Sequence, residues 1–183
     1  MKIILALTSV AALSAAYYYS QSSSLQNVSI TDVELIKQGE GLRLCTYKDT
    51  MGIKTVCYGF NLERSNAQSR VTAAGGSWAT LNQVGGCTSQ GVCDKLLNVE
   101  VQSARQGKAN IFGAGSVGCG NADAVTVDLT YNLGEGGLRG FPKFIANIKA
   151  RNWNGAAGEL QNSAYCRQTG TRCTRNMNYL RQC

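Results

Sequence analysis

The chain has 183 residues, 44% of them hydrophobic and one of them proline, enough for one substantial core and short for two. Its formal net charge of +7 favours anionic partners, while the lack of any histidine excludes serine–histidine and cysteine–histidine catalysis and argues against a metal hydrolase. The basic residues, spread from Lys37 to Arg181, form no finger or aromatic RNA-binding motif, so nucleic acid is not an expected partner.

Met1-Lys2 precedes an apolar run from Ile3 to about Ala16 that is closed by small residues, which predicts a signal peptide over residues 1–16. The run is shorter than the roughly 20 residues of a spanning helix, so cleavage, secretion and no stable membrane association are expected. A digestive vacuole or lysosomal compartment would fit the same leader. Residues 17–30 read as a loose segment, and residues 31–183 as the folded domain.

Thr31 with Glu34 makes a capping box, Leu35 and Ile36 supply an apolar stripe, and Gly39 and Gly41 end a short helix. Leu42–Tyr47 and Ile53–Phe60 are strand-like runs around the turn Lys48–Gly52, predicting a β-hairpin. A helix beginning near Gly91 and running through Leu96, Leu97 and Val101 is expected to join two lobes. After a glycine-rich loop, Ala122–Leu133, Pro142–Ala150 and Trp153–Leu160 read as helices. The chain is therefore α+β, with a small N-terminal hairpin lobe, a helical C-terminal lobe, and no internal repeat.

Eight cysteines with no histidine and no tight pair of thiols point to disulfides rather than zinc. Local spacing suggests Cys45–Cys57, which would face each other across the hairpin, then Cys87–Cys93 and Cys166–Cys173, leaving Cys119 for Cys183.

Paired carboxylates are the chemistry that remains. Glu40 falls where the first helix ends, so the negative end of the helix dipole opposes its ionisation, as suits a proton donor. Asp49 lies at the hairpin turn, where a carboxylate stays solvated, and Thr55 on the return strand could hold a water between them.

Gly39-Glu40-Gly41-Leu42-Arg43-Leu44, followed by Tyr47-Lys48-Asp49-Thr50, Gly52, Thr55 and Gly59, resembles the active-site hairpin of phage-type lysozymes, glycoside hydrolase family 24. Tyr131-Asn132-Leu133-Gly134-Glu135 and Asn152-Trp153-Asn154 resemble two later segments of that family, and Tyr165-Cys166-Arg167-Gln168-Thr169-Gly170 running into Arg172 resembles its C-terminal signature.

The resemblance implies a lysozyme-like fold and a muramidase, which the leader predicts to be secreted and which is expected to be a monomer. Such an enzyme would cut the β-1,4 bond between N-acetylmuramic acid and N-acetylglucosamine in bacterial peptidoglycan without a cofactor or metal. It further implies Glu40 as general acid and Asp49 with Thr55 activating water, with inversion at the anomeric carbon. Arg172 would pair with the glutamate, and Tyr131 with Asn132 would line the sugar cleft. Phe60, Gly39 and Cys166 depart from residues the family often carries at those places. Rival readings are a silent wall-binding or inhibitory protein on this scaffold, an endolysin tethered by its N-terminal segment, and a chitinase-like enzyme.

Overall fold

The computed structural model describes residues 29–183, so the expected signal peptide and nearly all of the loose segment lie outside the described residues. Helix α1 spans Asp32–Glu40 and starts with the complete capping box: the Thr31 side chain accepts from the Glu34 amide, and the Thr31 amide donates back to the Glu34 carboxylate. Gly41, at φ 71°, ends it by adopting a backbone that side chains resist.

The hairpin is present as β1 (Arg43–Lys48) and β2 (Lys54–Cys57), but the return run is not one strand. Cys57 at φ 62° and Gly59 at φ 84° reverse the chain, so Phe60–Asn61 comes back as β3 and completes an antiparallel sheet ordered β1-β2-β3.

The long helices follow as expected. Helices α2 (Ala67–Ala73) and α3 (Trp78–Leu81) finish the first lobe, and α4 (Gln90–Phe112) runs on from it for 23 residues. Helix α5 (Gly120–Arg139) is kinked at Gly134, whose φ of 70° breaks the helical run one residue after Leu133. Helices α6 (Pro142–Lys149), α7 (Trp153–Gln161), α8 (Ala164–Thr169) and α9 (Thr171–Arg181) build the second lobe.

Two cores result, and α1 serves both. Ile36 packs with Val56, Leu81, Leu96 and Val101 under the sheet, whereas its neighbour Leu35 packs with Leu129, Leu138, Phe144 and Leu180 in the helical lobe. Both side chains are fully buried, each contributing about 1.5–3 kcal/mol on leaving water. Ion pairs hold α1 to α4 near both ends, Arg105 gripping Asp32 at 2.6 and 2.7 Å and Lys37 meeting Asp94 at 2.7 Å. Glu40, the last residue of α1, is thereby delivered to the junction of the lobes. Among the described residues no helix is long and apolar enough to cross a membrane.

All eight cysteines are bridged, but two of the spacing-based pairings are wrong. Cys166–Cys173 and Cys119–Cys183 form as expected, whereas Cys45 joins Cys87 and Cys57 joins Cys93. An irregularity in β1 is the reason. Near the turn Tyr47 faces Thr55, a register that would set Cys45 opposite Cys57, but the ladder shifts and Arg43 faces Cys57 instead. Cys57 then points inward to Cys93 on α4, while exposed Cys45 lies beside Cys87 on a segment that pairs with the outer edge of β1. Non-reducing peptide mapping should return Cys45–Cys87 and Cys57–Cys93 fragments and no Cys45–Cys57 fragment. Replacing both Cys57 and Cys93 by alanine should lower the unfolding free energy by about 2–4 kcal/mol.

Candidate active site

Glu40 is 22% exposed in its side chain and uses its two oxygens differently. Oε1 accepts a 2.6 Å hydrogen bond from Arg172 Nη1, a charge-assisted contact joining α1 to the start of α9. Oε2 has no hydrogen-bonding protein partner among the described residues and faces Gly59, where even a bare Cβ would stand 3.6 Å away. One oxygen is fixed and the other is open beside the β2–β3 turn.

Arg172 is buried and is shared with a second carboxylate. Its Nη2 and Nε donate to the two oxygens of Asp128 on α5 at 2.7 and 3.2 Å, and Asp128 is fully buried. Asn176, one turn along α9, donates to Asp128 at 2.7 Å and to the Tyr165 hydroxyl at 3.2 Å. Burial alone would lower the Arg172 pKa; the hydrogen bonds and charge of Asp128, then of Glu40, outweigh it and hold the value above the usual arginine range. Gly39 is explained by the same contact, because a Cβ there would stand 2.9 Å from the guanidinium carbon.

Asp49 and Thr55 are brought together by the backbone of one residue, Ile53. The Ile53 amide donates to Asp49 Oδ1 at 2.9 Å, and its carbonyl accepts from the Asp49 amide at 3.0 Å and the Thr55 hydroxyl at 3.1 Å. Met51 adds a second amide to Asp49 Oδ1 at 2.8 Å, and Oδ2 has no hydrogen-bonding protein partner among the described residues. Thr55 is buried, and its hydroxyl, having donated its proton inward, presents lone pairs that can accept from water.

Tyr131 is half-buried and lines a cleft of about 540 Å³ with Arg64, Glu100, Ser103, Asn110 and Glu135. Burial first, and then the nearby Glu40 charge, raise its phenol pKa, so the ring stays neutral. Asn132, the next residue, is exposed and is not among the cleft-lining side chains. Phe60 is buried, with the guanidinium groups of Arg64 and Arg70 5.0 and 5.5 Å from its ring; both arginines pair with Glu100.

Asp128 and Glu100 are the charged residues that the sequence reading passed over. The signal for Asp128 was present: an acidic side chain inside the apolar stretch Ala122–Leu133 has to find a cation if that helix is buried. No grouping of side chains suited to a metal ion occurs among the described residues.

The sequence profile of the phage lysozyme family matches residues 37–177 of the chain. The match spans most of the chain and contains every site residue named above, and the protein belongs to that family. Membership makes it a glycoside hydrolase of peptidoglycan, of the muramidase kind. Asp128→Ala, which leaves the buried Arg172 with Glu40 alone, should reduce the unfolding free energy by about 3–5 kcal/mol in denaturant titration. A loss below about 1 kcal/mol would show that Arg172 does not depend on Asp128.

Proposed function

We propose that this phage lysozyme family member hydrolyses the β-1,4 bond between N-acetylmuramic acid and N-acetylglucosamine by single displacement, with Glu40 as general acid. The observation that carries this reading is the division of labour within Glu40: Arg172 orients the carboxyl group through Oε1, and Oε2 is left without a protein partner beside Gly59 of the β2–β3 turn. From Oε2 a proton can reach the glycosidic oxygen as the bond to the anomeric carbon breaks. Tyr131 offers an aromatic face against which a sugar ring can pack, whereas Asn132, exposed and outside the cleft lining, is given no substrate contact.

Water attacks the anomeric carbon from the opposite side. With Oδ1 held by two backbone amides, Asp49 takes the proton of the water on Oδ2, and the Thr55 hydroxyl accepts the second hydrogen of that water and fixes its direction. The anomeric carbon inverts, and the product carries a muramic-acid reducing end. Every step is supplied by side chains of the protein, with no cofactor or metal.

Four disulfides suit an oxidising compartment, in keeping with the leader-like first residues, so the wall would be met from outside a bacterium in defence or digestion. A monomer suffices, since Glu40, Asp49 and Thr55 all come from one chain.

Purified protein should release muramic-acid reducing ends from peptidoglycan. Glu40→Gln should lower kcat by about 10²–10⁴-fold with its melting temperature retained, and Asp49→Asn and Thr55→Ala should each lower kcat more than they raise KM. A folded Glu40→Gln variant cleaving at the wild-type rate would remove Glu40 from the mechanism. A folded, fully oxidised wild type that binds walls without cleaving them would put a silent wall-binding protein in its place.

A further inference from the structure

We infer that the C-terminal lobe is a docking surface for an anionic phosphodiester polymer of the bacterial wall, of the teichoic type, separate from the glycan cleft. Residues 29–139 carry ten basic and ten acidic side chains, whereas residues 140–183 carry seven basic ones and a single acidic one, Glu159. With Lys2 outside the described residues, their net charge is +6, and all of it belongs to that last stretch. The basic residues are spread along the chain; it is the acidic ones that nearly stop at Glu135.

The two halves also use their cations differently. Of the ten in the first part, Lys37, Arg64, Arg70, Arg105, Lys108 and Arg139 each hold a carboxylate, and Arg43, Lys48, Lys54 and Lys95 form no ion pair among the described residues. In the second part Arg172 is committed to Glu40 and Asp128, and half-buried Arg175 donates to the Gln38 carbonyl at 3.1 Å. The other five, Lys143, Lys149, Arg151, Arg167 and Arg181, are exposed, and none forms an ion pair among the described residues.

The fold draws three of them, Lys149, Arg151 and Arg181, toward one another. Helices α6 and α9 both pack against α7, which bears the one carboxylate. The Cys119–Cys183 bridge draws the end of α9, with Arg181, to the loop on which the Arg151 side chain rests, 2.7 Å from where a Cβ of Gly118 would stand. Lys149 is two residues from Arg151 at the end of α6.

The chemistry of the surface selects the partner. The exposed large hydrophobic side chains, Leu42, Leu44, Met51, Val84 and Val99, all lie in the first part of the chain, so the cationic lobe has nothing large and apolar to insert into a bilayer. A flexible phosphodiester chain can touch separated cations in turn and gains from the counterions it releases. Wall polymers of this kind lie in the same matrix as peptidoglycan, which favours them over nucleic acid. Docking would hold the enzyme on its wall without occupying the cleft, and it does not require that cleavage proceed as proposed above.

Soluble poly(glycerol phosphate), titrated at several salt concentrations, is the probe. Two variants with the same loss of charge are compared with the wild type: Lys143→Gln/Lys149→Gln/Arg181→Gln in the second lobe, and Arg43→Gln/Lys48→Gln/Lys95→Gln in the first. The expected result is at least about a tenfold loss of affinity and a flatter salt dependence for the former, and less than about a twofold loss for the latter. Equal losses in the two variants would mean that net charge alone is read and would overturn the docking surface. Duplex DNA or anionic phospholipid vesicles bound as tightly as the polymer would overturn the choice of partner.

Discussion

The guanidinium of Arg172 is the contact on which the rest of the site depends. It is buried, it carries a charge that cannot be given up, and it meets two carboxylates from two other helices, Glu40 at the end of α1 and Asp128 within α5. Three features elsewhere in the chain serve this one placement. Gly39 has no side chain because the guanidinium occupies the space, Asn176 holds the far side of Asp128, and the Cys166–Cys173 bridge ties down the turn from which Arg172 projects. A lone buried charge would cost several kcal/mol, so each partner is a condition for the others.

That cluster also explains how two lobes share a site. None of the four disulfides joins one lobe to the other: Cys45–Cys87 and Cys57–Cys93 staple the sheet to its helices, and Cys119–Cys183 and Cys166–Cys173 staple the helical lobe. What spans the junction is α1, through Leu35 in one core and Ile36 in the other, α4 and α5, which also place residues in both cores, and the Arg172–Glu40 pair. Each lobe carries its own disulfides, while the junction between them is held by packing and by the Arg172–Glu40 pair.

The sequence reading was strongest where a pattern is local. The Thr31–Glu34 box and the helix over Ala122–Leu133 appear as expected, because caps and helical periodicity are written in neighbouring residues, whereas the resumption of α5 beyond the kink at Gly134 to Arg139 was not anticipated. It failed where a long-range contact decides. The β1 irregularity that moves Cys57 from facing Cys45 to facing Arg43 has no signature in the strand, and the turn at Cys57 uses a positive φ at a residue other than glycine. In the site, the neighbourhood of Asp49 and Thr55 was legible from hairpin spacing, but the Ile53 backbone amide and carbonyl that link them were not. The Arg172–Glu40 contact was anticipated only through family resemblance, since 132 residues separate the partners, and Asp128 was overlooked although its charge in an apolar helix announced a buried pair.

In the proposed displacement Glu40 gives a proton on one side of the bond while Asp49 and Thr55 direct water from the other. The most direct test is the anomeric form of the first product. Proton NMR of a peptidoglycan oligosaccharide during the opening minutes of cleavage, before mutarotation, should show the α-anomer of the new muramic-acid reducing end ahead of the β-anomer. Appearance of the β-anomer first would mean retention through a covalent or substrate-assisted route and would contradict the roles given to Asp49 and Thr55.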